Sequence, residues 1–195
     1  MAMDKKITFS YQKYFNLISE ISSNFIGSLE YTKIVDMLLD CYKRKGTVFT
    51  MGCGGSASTA THFAADLAKT CGGFKALSLV DNIPLVSAYT NDEGWDRVFE
   101  GQLENWITEN DVLVGFSVHG GNSKWSGNLT KAMKLAKKRG AKVIGFAGFD
   151  GGAMKKLADA CLVVPIDNEY GTPVVEAMHV VLHHAVIFHL KEKTK

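Results

Sequence analysis

Residues 50–58, Thr50-Met51-Gly52-Cys53-Gly54-Gly55-Ser56-Ala57-Ser58, close an apolar run and open a stretch of helical periodicity that reaches Thr70. Three glycines and two serines between a strand and a helix let the backbone approach a ligand, and N–H groups at a helix N-terminus favour an anion such as phosphate. The spacing is not the GxGxxG of a dinucleotide fingerprint, and no Gly-Lys-Ser/Thr follows as in a Walker A loop, so no nucleotide cofactor is expected. A plain strand-to-helix turn would use the same residues.

Working outward, the chain alternates short apolar runs with helical patterns, the rhythm of a parallel sheet with helices on both faces. Strands are expected over 47–51, 76–80, 112–117, 142–147 and 160–164, and helices over 56–70, 84–89, 96–107, 125–139, 153–158 and 172–191. Upstream, Tyr14, Leu17, Ile18, Ile21 and Phe25 recur at three and four, as do Ile34, Val35, Leu38, Leu39 and Tyr42. Two amphipathic helices therefore precede the first strand. At 195 residues the chain suits one domain spanning 1–195, with 1–45 as a helical extension of the same unit. Ligands of such sheets bind at the carboxyl ends of strands, and the loops 52–56, 117–126 and 148–152 all fall there.

Composition narrows the function. The 22 basic and 20 acidic residues are mixed along the chain for a formal charge of +2, which gives nucleic acid no electrostatic footprint. Cys41, Cys53, Cys71 and Cys161 are widely spaced with no CxxC pair, the usage of reduced thiols in the cytoplasm. The N-terminus has no signal-peptide core and no uninterrupted apolar run reaches the roughly 18 residues of a membrane span, so no membrane partner is expected.

The second loop, Ser117-Val118-His119-Gly120-Gly121-Asn122-Ser123-Lys124-Trp125-Ser126, again sets glycines and hydroxyls ahead of a helix. Two such loops at neighbouring strand ends suit one phosphorylated ligand, with Ser56, Ser117, Ser123 and Ser126 adding hydroxyl donors. His62 and Asp66 stand four apart on one helix and can converge on one point, as a metal pair, an acid–base pair or an exposed hydrogen-bonded pair. The last helix carries Glu176, His179, His183, His184 and His189 in an otherwise apolar run, and polar groups there need partners wherever they are buried.

Together these motifs resemble the SIS (sugar isomerase) domain family, and within it the phosphoheptose isomerases. The resemblance rests on Gly52-Cys53-Gly54-Gly55-Ser56, His62-Phe63-Ala64-Ala65-Asp66-Leu67, Asn91-Asp92, Asp96-Arg97-Val98-Phe99 and Asp150-Gly151-Gly152. It implies a three-layer α/β/α fold of flavodoxin type, a homotetramer with active sites at subunit interfaces, and isomerisation of sedoheptulose 7-phosphate to an aldose phosphate for lipopolysaccharide or capsule. It also implies that Cys53, Gly54, Gly55, Ser56, Asn91, Asp92, Ser117 and Ser126 bind the sugar phosphate, with His119 and Ser123 in the same loop. His62, Asp66, Glu176 and His184 fall on its zinc-binding and catalytic positions, with one zinc per subunit and His183 as the rival should the register shift by one.

The chain departs from the family pattern at Cys53, where Asn is usual, at Asp66 for Glu and at Glu176 for Gln, and its second loop is longer. These changes mark a subfamily. Aldose–ketose isomerisation moves a proton between C1 and C2 through an enediol, which needs a base at carbon and an acid for the oxygens. Asp66 or Glu176 is expected as the base and His184 as the acid. The rivals are a non-catalytic sugar-phosphate-binding or protein-docking module and an isomerase of another sugar phosphate.

Overall fold

The computed structural model describes residues 10–122 and 125–195. Two helices lead, α1 (Tyr11–Ser23) and α2 (Leu29–Lys43), each started by a serine whose hydroxyl accepts a first-turn N–H, Ser10 from Lys13 and Ser28 from Tyr31. The strands β1 (Thr47–Met51), β2 (Lys75–Ser78), β3 (Val112–Ser117), β4 (Lys142–Gly148) and β5 (Ala160–Val164) form one all-parallel sheet in the order β2-β1-β3-β4-β5. The chain leaves β1 toward β2 on one side and returns to β3 on the other, so the direction of winding reverses between β1 and β3.

Alternation along the strands builds the two outer layers. Val48, Val112, Val114 and Phe116 face one side, where they bury against α1, α2, α3 (Gly55–Lys69) and α8 (Gly171–Lys193). Phe49, Leu113 and Val143 face the other, against α6 (Gly127–Lys138) and α7 (Gly152–Leu157). The result is the three-layer α/β/α arrangement that the hydrophobic rhythm predicts.

Between β2 and β3 the structure departs from the expected helix over 96–107. After α4 (Ile83–Asp92) the chain makes a 3-10 turn at Trp95–Arg97 and a single α-turn, α5 (Glu100–Leu103). The Arg97 guanidinium gathers Glu93, Glu100 and Glu104 at 3.0, 2.8 and 2.9 Å, and a Cβ at Gly101 would run into the Tyr89 ring.

α8 has the length and composition of a membrane span, but half of the span-length window is buried within the fold. Its Val174, Val175, Met178, Leu182, Val186 and Leu190 line the core. α3 and α8 run side by side in the same direction: Glu176 lies against Gly55, His183 against Phe63, and the Cys71 thiol donates to the Ile187 carbonyl.

Candidate functional site

At the carboxyl ends of β1 and β3, where the winding reverses, Cys53, Ser56, Ser117, His119, Ser126 and Glu176 line a pocket of about 210 Å³, with Phe116, Val118, Gly121 and Trp125 completing the wall. The first glycine loop makes its floor. Gly54 adopts φ 59° with ψ −127°, a conformation reserved for glycine, and α3 starts there without a side-chain cap. Gly55 makes room for the Glu176 carboxylate, which a Cβ at that position would overlap.

The second loop lines the pocket and also has a packing role. Ser117 Oγ accepts the Gly120 N–H at 3.1 Å, and the carbonyls of Gly120 and Gly121 accept the N–H groups of Met154 and Ala153 at 2.8 Å. The two glycines are thus a dock for the start of α7, and Asp150 caps the adjoining turn by accepting the Gly152 N–H at 3.0 Å. Hydroxyls and imidazole face the pocket instead: Ser117, Ser126 and His119, whose ring stacks on Phe149 at 4.6 Å. Ser123 lies outside the described residues.

Asn91 and Asp92 are exposed at the end of α4, bonded to each other at 2.7 Å and apart from the pocket lining. Asn128, which the sequence reading passes over, is fully buried and joins the two loops, donating to Cys53 Sγ at 3.3 Å while its Oδ1 accepts the Leu129 N–H. An amide in the first turn of the helix after the second loop is the sequence signal that would have found it. Burial pushes the Cys53 thiol up, which keeps it protonated at neutral pH and suits it to packing rather than to attack.

Further along the α3–α8 seam, His62, Asp66, His183 and His184 bring one ligand atom each within 4.8 Å of one another. Asp66 Oδ2 stands 3.4 Å from His62 Nε2 and 3.7 Å from His184 Nε2, while its Oδ1 accepts the Thr70 hydroxyl at 3.1 Å. Asp66 is partly buried and the two imidazoles are open to solvent on one side. His183 lies beneath them, buried, and neither of its ring nitrogens has a hydrogen-bond partner. Burial, reinforced by the neighbouring His184 and His62, pushes it down to about 3, so it is a neutral imidazole. Neutral imidazoles and a carboxylate are the donor types that divalent zinc-class cations accept. Glu176 is outside this group and belongs to the pocket.

The architecture agrees with the comparisons. A family model described as the SIS domain matches residues 13–148. The chain belongs to the SIS domain family. This SIS domain is 46% identical over 158 residues to the lincomycin biosynthesis protein LmbN of Streptomyces lincolnensis, covering 77% of the chain but 58% of that protein. It is 41% identical over 154 residues to a phosphoheptose isomerase of Helicobacter pylori (strain Shi470), covering 77% of each. The solved phosphoheptose isomerase GmhA from Neisseria gonorrhoeae superposes with a TM-score of 0.83 at 28% identity, over 93% of this chain and 95% of that one. The chain groups with the sugar-phosphate isomerases of the family.

Proposed function

We propose that this SIS domain isomerises a ketose phosphate to an aldose phosphate, with sedoheptulose 7-phosphate and D-glycero-D-manno-heptose 7-phosphate as the pair. The observation that carries this reading is the Glu176 carboxylate seated on Gly55 inside the pocket where the two glycine loops meet. Backbone N–H groups of the first loop and the hydroxyls of Ser56, Ser117 and Ser126 hold the phosphate and sugar oxygens. Glu176 takes the proton from C1 of the ketose and returns it to C2, with O2 gaining a proton and O1 losing one along the way.

Asp66 offers one oxygen to two imidazoles, which suits it to holding a cation more than to abstracting a carbon proton. His62, Asp66 and His184 are therefore read as ligands of zinc, which would brace the α3–α8 seam two helical turns from Glu176. A metal-bound imidazole is a poor proton carrier, so the oxygen protons that the family resemblance gives to His184 fall to His119, the imidazole that shares the pocket with Glu176.

A pocket of about 210 Å³ is smaller than the roughly 300–1,000 Å³ of complete small-molecule sites. This supports a homotetramer in which a neighbouring subunit closes the site. Exposed Tyr11, Phe15 and Leu29 on the leading helices, with Val181 and Phe188 on α8, supply apolar surface for such contacts. Four free cysteines fit a reducing cytoplasm, and heptose for lipopolysaccharide or capsule is the product's expected use.

Incubation with sedoheptulose 7-phosphate, followed by NMR of the anomeric region, tests the reading. Accumulation of the aldose to a fixed ratio is expected. Binding without conversion would identify a non-catalytic module instead, and conversion of a different ketose phosphate would change the substrate while keeping the chemistry.

A further inference from the structure

We infer that Phe149 is a positioning residue: its ring holds the His119 imidazole and bears on the start of α8, and so fixes the proton carrier relative to Glu176. The role rests on the reaction proposed above. Phe149 follows β4 and does not line the pocket itself, so it acts through its neighbours.

Its backbone is unusual. Phe149 has φ 54°, in the left-handed region that a bulky side chain rarely enters. Glycine takes that conformation freely, so what phenylalanine adds at this position is its ring. The Phe149 N–H donates to the Val164 carbonyl at 3.1 Å, which ties the turn to the end of β5.

The ring has two neighbours that matter. It stacks on the His119 ring at 4.6 Å with 24° between the planes, and a Cβ at Gly171, the first residue of α8, would run into it. One residue earlier, Gly148 is open to Val175 in the same way, and its N–H donates to the Val118 carbonyl at 2.9 Å. Residues 148 and 149 therefore touch both halves of the site. Val118 and His119 belong to the second loop, whereas Gly171 and Val175 share one face of α8 and Val175 directly precedes Glu176. The same segment also takes the Gly120 carbonyl, through the Met154 N–H. With the backbone held on both sides of His119, the torsions of the imidazole are the freedom left to it, and the stack removes them.

Turnover of sedoheptulose 7-phosphate by Phe149→Gly, Phe149→Tyr, His119→Gln and the Phe149→Gly/His119→Gln double variant tests this role. Phe149→Gly keeps the left-handed turn and should lower kcat by about tenfold with KM unchanged, the effect of a misaimed proton carrier. Phe149→Tyr should restore kcat, and Phe149→Gly should have no further effect once residue 119 is glutamine. An equal loss in both backgrounds, or a raised KM with kcat intact, would overturn the assignment, because the ring would then serve packing or meet the substrate directly. NMR of the full chain gives a readout without turnover. Stacking displaces the His119 ring-proton signals upfield, and their loss in His119→Gln assigns them; the displacement is expected in the parent and in Phe149→Tyr and should vanish in Phe149→Gly. Should Phe149→Gly not fold, Phe149→Leu removes the ring in its place. Undisplaced His119 signals in an active parent would overturn the positioning role and leave the reaction standing. Displaced signals in a parent that converts no ketose phosphate would overturn the reaction, and the role with it, while leaving the contact established.

Discussion

The two stations along the α3–α8 seam differ in what they leave exposed. At the Gly55–Glu176 end the chain offers backbone, hydroxyls and a single carboxylate around a pocket, whereas at the Asp66–His184 end it offers imidazoles around a carboxylate already shared. Between them lies His179, a buried spacer packed against Phe116 and Phe146. On the proposed reading, one pair of parallel helices carries two chemistries, anion and proton handling at one station and cation binding at the other. The separation is set by the helical rise.

The largest expected effect breaks one station and spares the other. Glu176→Gln should lower kcat by about 10³-fold, the range of a lost general base, with zinc affinity unchanged. Retention of full turnover would return the base to Asp66 and merge the two stations. Next, Asp66→Asn should weaken zinc by about a hundredfold, because the carboxylate that faces both His62 and His184 becomes an amide; isothermal calorimetry reads this directly. An unchanged affinity would remove the second station from the description.

The spacer gives a smaller effect with a definite sign. Burial holds His179 down to about 4, against about 6.5 in an unfolded chain. Its contribution is complete above the unfolded value and is lost as pH falls from about 6.5 to 4, where the unfolded state gains a proton that the native state refuses. Urea titrations with chelator present should show roughly 2–3 kcal/mol lost across that window from this group, and His179→Phe should flatten the slope. An identical slope in the variant would mean that the spacer is wet. The smallest effect comes from Gly55→Ala, whose methyl group displaces the Glu176 carboxylate. Turnover should fall by about tenfold while thermal stability holds or rises, because alanine is the better helix former by about 1 kcal/mol. A parent-like kcat would show that the carboxylate works from another position.

Much of this was legible beforehand for a physical reason. The strands β1, β3 and β5 match their expected ranges because buried parallel strands are short apolar runs with turn residues at both ends. The break before α5 was not legible, since the carboxylates that Arg97 gathers, Glu93, Glu100 and Glu104, stand at the spacings of a continuous helix. The glycines of the second loop also dock the segment 151–154, which the sequence does not show, because what a glycine admits is decided by the segment that arrives. His183 and His184 are adjacent, and adjacent helical residues point about 100° apart. Which of them meets α3 depends on how α8 is rotated against the sheet, and the structure brings in both.

The contact between Gly55 and Glu176 also bears on how such a site changes over generations. A side chain at position 55 and a long carboxylate seated at position 176 exclude each other, although 121 positions separate them. Bulk at the first therefore calls for a shortened or redirected side chain at the second.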